Sequence, residues 1–197
     1  MKRYLVFVAI VLITINVIAQ KIKFVKGDVE NLIGITEYNV VFDYSNIIIA
    51  NFDSEEEFLK DKMAIRDAQK IGSGEKFKHD WFTFRDSLYE PSFIEVFNDY
   101  FILKRKIKVQ ENSDAKYTML INTVFVYPGY NVGVWYEDSK LKATVTVFET
   151  SIPENIIFTT KEIYVKGKAT YHTGKRISNA YGMLARRIAA YLRRKTF

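Results

Sequence analysis

Residues 141–147, Leu-Lys-Ala-Thr-Val-Thr-Val, constrain the fold more than any other stretch, because every second residue is apolar and the others are Lys or Thr. That period of two belongs to a strand with one buried face. Residues 117–126 (YTMLINTVFV) and 156–165 (IIFTTKEIYV) are equally rich in β-branched and aromatic side chains. The first is apolar enough to be covered on both faces, which predicts the central strand. Pro128-Gly129 and residues 151–155 (SIPEN) separate the three segments. Proline cannot donate to a ladder, so the strands are expected to end there. The result is an antiparallel meander over 117–165 that needs helices on one face.

Helix signals precede and follow it. Ser54 to Glu57 forms a capping box, predicting a helix from Glu55 to about Lys70 with Phe58, Ile65 and Ala68 on its apolar face. Gly72-Ser-Gly-Glu-Lys76 lacks the spacing of a phosphate loop and reads as a helix stop. Phe77, Trp81, Phe84 and Leu88 then fall on one helical line, expected to lie against the sheet. Pro91-Ser92, with Glu95, reads as a second capping box opening a third helix. Residues 38–44 and 47–50 read as strands, residues 103–109 as a charged edge strand, and residues 21–31 as a lead-in without period. In the last helix Ile177, Tyr181, Leu184, Ile188, Tyr191 and Leu192 share one arc. Arg176, Arg187 and Arg194 share another line, predicted to face solvent.

Lys2 and Arg3 precede an apolar run over 4–18, and Val17 and Ala19 stand at positions −3 and −1 of a cut before Gln20. This is the layout of a secretory signal: a run of about 15 residues, against the roughly 20 of a spanning helix. The expected organisation is a signal peptide over 1–19 and a single α+β domain over 20–197, located in the periplasm or secreted, with no stable membrane anchor after cleavage. Losing Lys2 and Arg3 from 29 basic residues leaves 27 against 23 acids, a net charge of +4. From residue 163 onward there are nine Lys or Arg and no acid.

The site signals are sparse. The chain has no Cys and two His, which removes the common zinc arrangements, and no metal or cofactor is expected. His79 reads as a surface residue, and His172 has no triad partner that spacing identifies. Tyr127-Pro-Gly-Tyr130-Asn-Val-Gly-Val-Trp135-Tyr136 gathers four aromatics in one strand connection. It is either a stacking platform for a sugar or peptide, or a loop folded over the sheet end with its rings buried; the second is favoured because connections this long are usually packed. Tyr127, Tyr130, Trp135 and Tyr136 are therefore the candidate binding residues, with Arg187 and Arg194 of the basic helix as candidates for an acidic partner. Nucleic acid is not expected outside the cell.

The strings at 39–45 (NVVFDYS), 55–59 (EEEFL), 74–76 (GEK) with Trp81, 93–98, 127–133 (YPGYNVG) and 176–181 (RISNAY) resemble a family of uncharacterised exported periplasmic proteins of Bacteroidetes. The resemblance implies an envelope address and no particular activity. The strand-helix-meander-helix layout is also similar to envelope domains such as the periplasmic part of the curli-secretion channel. The expected fold is a two-layer α+β arrangement, a mainly antiparallel sheet with helices packed on one face. The expected function is a non-enzymatic binding or assembly module that contacts an envelope protein or glycan. The alternative is a hydrolase acting on envelope glycan through carboxylates that spacing does not identify.

Overall fold

The computed structural model describes residues 22–102 and 107–196; the expected signal peptide over 1–19 and residues 103–106 of the expected edge strand lie outside the described residues. Helices and strands share the described chain, and its main sheet has eight strands. The segment at 117–126 forms β5 (Tyr117–Tyr127) and the alternating segment forms β8 (Lys140–Glu149), whose residues alternate strictly between buried and half-buried from Lys140 to Phe148. The two pair antiparallel over their length, with a bulge at Val124. β9 (Ile152–Thr160) and β10 (Ile163–Lys166) both pair antiparallel with β8. They are successive parts of one strand: the register slips by one residue between Thr159 opposite Thr146 and Ile163 opposite Ala143. At the slip the Thr160 hydroxyl accepts the Val145 N–H at 2.9 Å in place of a carbonyl.

The other half of the sheet adds parallel pairs to the expected antiparallel meander. β2 (Glu37–Asp43) pairs in parallel with both β5 and β4 (Lys108–Gln110), and β3 (Ile48–Ile49) pairs in parallel with β5. The sheet is mixed. Three helices lie between β2 and β4, the long crossover that a parallel pair requires. The link at 111–116 then returns past β2, where Asn39 accepts the Ser113 N–H and donates to the Thr118 hydroxyl.

Two further expectations fail. The lead-in is structured: β1 (Phe24–Lys26) pairs with β9, and a 3-10 turn at Val29–Leu32 buries Val29 and Leu32. Pro153 does not end a strand, since Glu149 opposes Ile152 and leaves a two-residue turn, with Pro153 exposed as the second residue of β9.

α1 (Glu55–Gln69) starts as its capping box predicts, with the Ser54 hydroxyl accepting the Glu57 N–H at 3.1 Å and Glu57 reaching back to the Asp53 N–H at 3.0 Å. Phe58 and Leu59 are its buried residues, while Ile65 is exposed. α2 (Ser73–Phe84) carries the aromatic line, but that line meets helices: Trp81 lies 4.8 Å from Phe58, and Phe84 and Leu88 crowd Gly174 at the start of the last helix. No second capping box opens α3 (Glu90–Phe101). The chain stays helical through a π turn at Arg85–Tyr89, where the Glu90 N–H bonds the Arg85 carbonyl. Pro91 lacks an N–H and its ring would strike the carbonyl four residues back, and the extra residue of the π turn relieves this. Ser92 donates instead to the Ser178 carbonyl at 3.0 Å.

α4 (Thr173–Thr196) closes the core. Its apolar arc is buried as predicted, including Ile177, Tyr181, Leu184, Ile188, Tyr191 and Leu192. Phe93, Phe97 and Phe101, one line on α3, join the same core, each contributing roughly 2–3 kcal/mol through burial. Gly182 lets α3 and α4 approach, since a Cβ there would meet the Ser92 hydroxyl at 3.1 Å and Val96 at 3.3 Å.

Candidate functional site

β3 and β5 run side by side and end together, so Ala50, Asn51 and Phe52 leave the sheet beside Tyr127, Pro128 and Gly129. Carboxyl ends of parallel strands are where open sheets gather ligands, because the chain must splay there into separate connections. Here α1, α2 and the first turn of α4 enclose that splay. The cleft measures about 380 Å³ and is lined by Phe52, Phe58, Lys62, Arg66, Phe77, Tyr127, Thr173 and Arg176 among others. Its size is within the range of small-molecule sites.

Lys62 and Arg66 reach the cleft because they stand at i+4 and i+8 from buried Phe58. The Lys62 ammonium lies 5.3 Å from the Phe52 ring centre and pairs with Asp61 at 2.8 Å. The Arg66 guanidinium stacks on Phe77 at 3.9 Å, and its one hydrogen bond among the described residues is a long 3.4 Å contact to the Lys62 carbonyl. Each cation is thus positioned by a ring and retains donors directed by geometry rather than by a salt bridge alone.

Arg176 overturns its predicted place on the solvent line of α4. It is only 4% exposed. Its five donors reach the carbonyls of Pro128, Gly129, Thr170 and Tyr171 and the Thr173 hydroxyl, at 2.6 to 3.2 Å. Burial lowers its affinity for its proton. No carboxylate of the described residues lies within ion-pair distance, so the guanidinium adds positive charge to the cleft wall while holding two loops together. The N-terminal dipole of α4 has the same sign.

The four candidate aromatics separate into two groups. Tyr127 lines the cleft and donates to Glu137 at 2.6 Å; that carboxylate, followed by burial, raises the phenol to about 12. Glu137 also binds the Lys140 ammonium at 2.6 Å, and these two bonds lower its own affinity for a proton. Tyr130, Trp135 and Tyr136 belong to a two-stranded hairpin beyond Gly129, formed by β6 (Tyr130–Asn131) and β7 (Tyr136–Glu137). Their rings are exposed, Trp135 by 71%, which corrects the expectation that this connection folds back and buries them.

The two candidate arginines of α4 are elsewhere. Arg187 is half-buried and donates to the Tyr164 carbonyl at 2.7 Å, so it does not face solvent as predicted. Arg194 is exposed, about 27 Å along the helix from Arg176. His172 caps α4, its Nδ1 accepting the Lys175 N–H at 3.2 Å, with its ring 5.1 Å from Phe84. His79 is exposed.

A second charged cluster lies between β2 and α3. Glu90 is raised to about 7 by burial, by a hydrogen bond shared with Glu111 and by the charges of Glu111 and Asp86, against the bond it accepts from Tyr44 at 3.1 Å. Two carboxyls that share a hydrogen bond are closer than the roughly 5–9.5 Å that glycoside hydrolysis needs. The cleft cations Lys62 and Arg66 went unnoticed in the sequence. Their signal was the i, i+4 spacing of two bases on the face of Phe58.

No family model and no curated protein matches the sequence. Among solved structures, the chain is similar to the PelC dodecamer from Paraburkholderia phytofirmans at 9% identity and a TM-score of 0.40, over 85% of this chain and 97% of that one. It is also similar to protein XCC0632 from Xanthomonas campestris, of family model DUF330, at 8% identity and a TM-score of 0.34, over 81% and 90%. At these scores the likeness is one of coarse arrangement and carries nothing about ligands.

Proposed function

We propose that the chain is an exported binding module of the cell envelope, and that its cleft captures an anionic group carried on a ring or other apolar body, such as the acidic sugar of an envelope glycan. The observation that carries this reading is the combination of Lys62, Arg66 and Arg176 with Phe52, Phe58, Phe77 and Tyr127 around one cleft. The cations supply attraction for a carboxylate, the rings supply stacking area, and the twelve residues that line the cleft include no carboxylate to repel it. The signal-like layout of residues 1–19 supports a periplasmic or secreted address. Capture is favoured over hydrolysis because the lining supplies cations and rings rather than a spaced carboxylate pair.

Calorimetric titration of the chain with oligogalacturonate and with a neutral oligosaccharide of equal length tests the proposal. The acidic oligomer is expected to bind and the neutral one to bind at least about tenfold more weakly, a difference of about 1.4 kcal/mol. Arg66→Glu is expected to abolish the preference while lowering the melting temperature by no more than about 4 °C, since half-buried Arg66 would lose its stack on Phe77 and one long hydrogen bond but no salt bridge. Equal binding of both oligomers, or an unchanged preference in Arg66→Glu, overturns it.

A further inference from the structure

We propose that the hairpin between Tyr130 and Glu137 inserts its tip into the interfacial layer of a lipid bilayer. The inference is independent of what the cleft binds. Val132 is 70% and Val134 87% exposed at the turn, with Trp135 and Tyr136 just behind them and nearly as open. The segment 127–136 holds no charged residue. An exposed apolar cluster of this kind marks a contact surface rather than ordinary scatter.

The tip is held out from the body by a braced stem. The Val132 N–H bonds the Trp135 carbonyl at 2.9 Å, and Asn131 accepts the Gly133 N–H at 3.2 Å, closing the turn. Gly133 has a φ of +89° with nothing within 4 Å of a Cβ placed there. At the base, Tyr127 and Lys140 both bind Glu137, and Arg176 holds the Pro128 and Gly129 carbonyls. The exposure of the rings therefore belongs to a fixed projection.

Polarity along this projection favours a bilayer over a protein pocket. Two valines stand at the turn, Trp135, Tyr136 and Tyr130 follow, and Glu137, Lys140 and the exposed Lys175, whose neighbour Arg176 binds the stem, come last. Hydrocarbon, headgroup and water present the same sequence of environments, and Trp and Tyr are the residues that collect at the headgroup level. At the base Glu137 is paired with the Lys140 ammonium and Asp138 is tied to the Ala169 N–H, so the stem sets one unpaired acid against the exposed Lys175 where it would meet anionic lipid.

Fluorescence tests the proposal directly, because Trp81 is buried and Trp135 is the exposed indole. The chain is mixed with vesicles of phosphatidylethanolamine and phosphatidylglycerol, with and without brominated acyl chains. Expected are a blue shift of the exposed indole, quenching by bromine, and co-sedimentation that falls at least about tenfold in Val134→Asp at unchanged melting temperature. Trp135→Phe is expected to remove the shift and the quenching while the protein still sediments with vesicles. Three results overturn it: no binding to vesicles, equal binding by Val134→Asp, or protection of Trp135 from acrylamide by a partner protein but not by vesicles.

Discussion

The Tyr181 hydroxyl lies 2.7 Å from the Thr123 hydroxyl, in the fully buried seam between α4 and β5. Tyr181 stacks on Tyr89 at 5.4 Å with their rings nearly parallel, so its position is set by packing and its bond to Thr123 joins helix to sheet. Burial raises the phenol well above its ordinary range and keeps it neutral. Tyr181→Phe preserves the stack and leaves the Thr123 hydroxyl without that partner, an expected loss of about 1–2 kcal/mol. Thr123→Val in the same chain is expected to recover part of it. Urea denaturation of the two single variants and the double variant measures the coupling; additive losses would mean that the bond is not the connection it appears from its length.

Gly129 and Gly133 both have positive φ, yet only one is crowded. A Cβ on Gly129 would lie 2.4 Å from the Glu137 carbonyl and 2.8 Å from the Asp138 carbonyl carbon, while one on Gly133 meets nothing. Gly129→Ala is expected to cost several kcal/mol, roughly 3 or more, because backbone must shift, and Gly133→Ala only about 1 kcal/mol of conformational strain. Thermal unfolding of the pair checks this. Similar losses at the two sites would place the close approach elsewhere.

The arginines of α4 rank by what they touch. Arg194→Glu, at an exposed position, is expected to change stability by no more than about 0.5 kcal/mol. Arg187→Glu removes the donor to the Tyr164 carbonyl and is expected to cost about 1–2 kcal/mol. Arg176→Met leaves four carbonyls short of a donor and is expected to cost more than either, with Leu184→Asp in the same range of roughly 3 kcal/mol or above. Denaturant midpoints give the order, and a loss at Arg194 equal to that at Arg187 would contradict it.

What was legible in the sequence was local. Alternation over 141–147, the capping box at Ser54 and the apolar arc of α4 each depend on residues within a few positions of one another, and each appears in the structure. Pairing direction is not local. Val40 opposes Met119 in a parallel ladder, and a period of two is the same whichever way the neighbour runs. Arg176 shows the same limit on a helix: its spacing places it with Arg187 and Arg194, but the turn at Pro128–Gly129 covers it from 47 residues away. The cleft was hidden because the ends of β3 and β5 become neighbours only through another such parallel pairing, while the rings of Trp135 and Tyr136 were visible and their exposure was not.

Glu90 gives the chain a pH dependence with a definite sign. Burial comes first among its causes, then the bond shared with Glu111 and the charges of Glu111 and Asp86, opposed by the bond that Tyr44 donates. The folded chain therefore holds this proton up to about pH 7, while the unfolded chain releases it in the ordinary carboxylate range. The folded state binds more protons between these limits, so the contribution of Glu90 is fully present below the unfolded value and is lost as pH rises through about 7. Melting temperature is expected to fall between pH 5 and pH 8 by more in the native chain than in Glu90→Gln, which keeps the shape and carries no charge. The side chain is half-buried, and solvent screening reduces the effect accordingly. Parallel curves for the two proteins across that range would show that the proton is not held there.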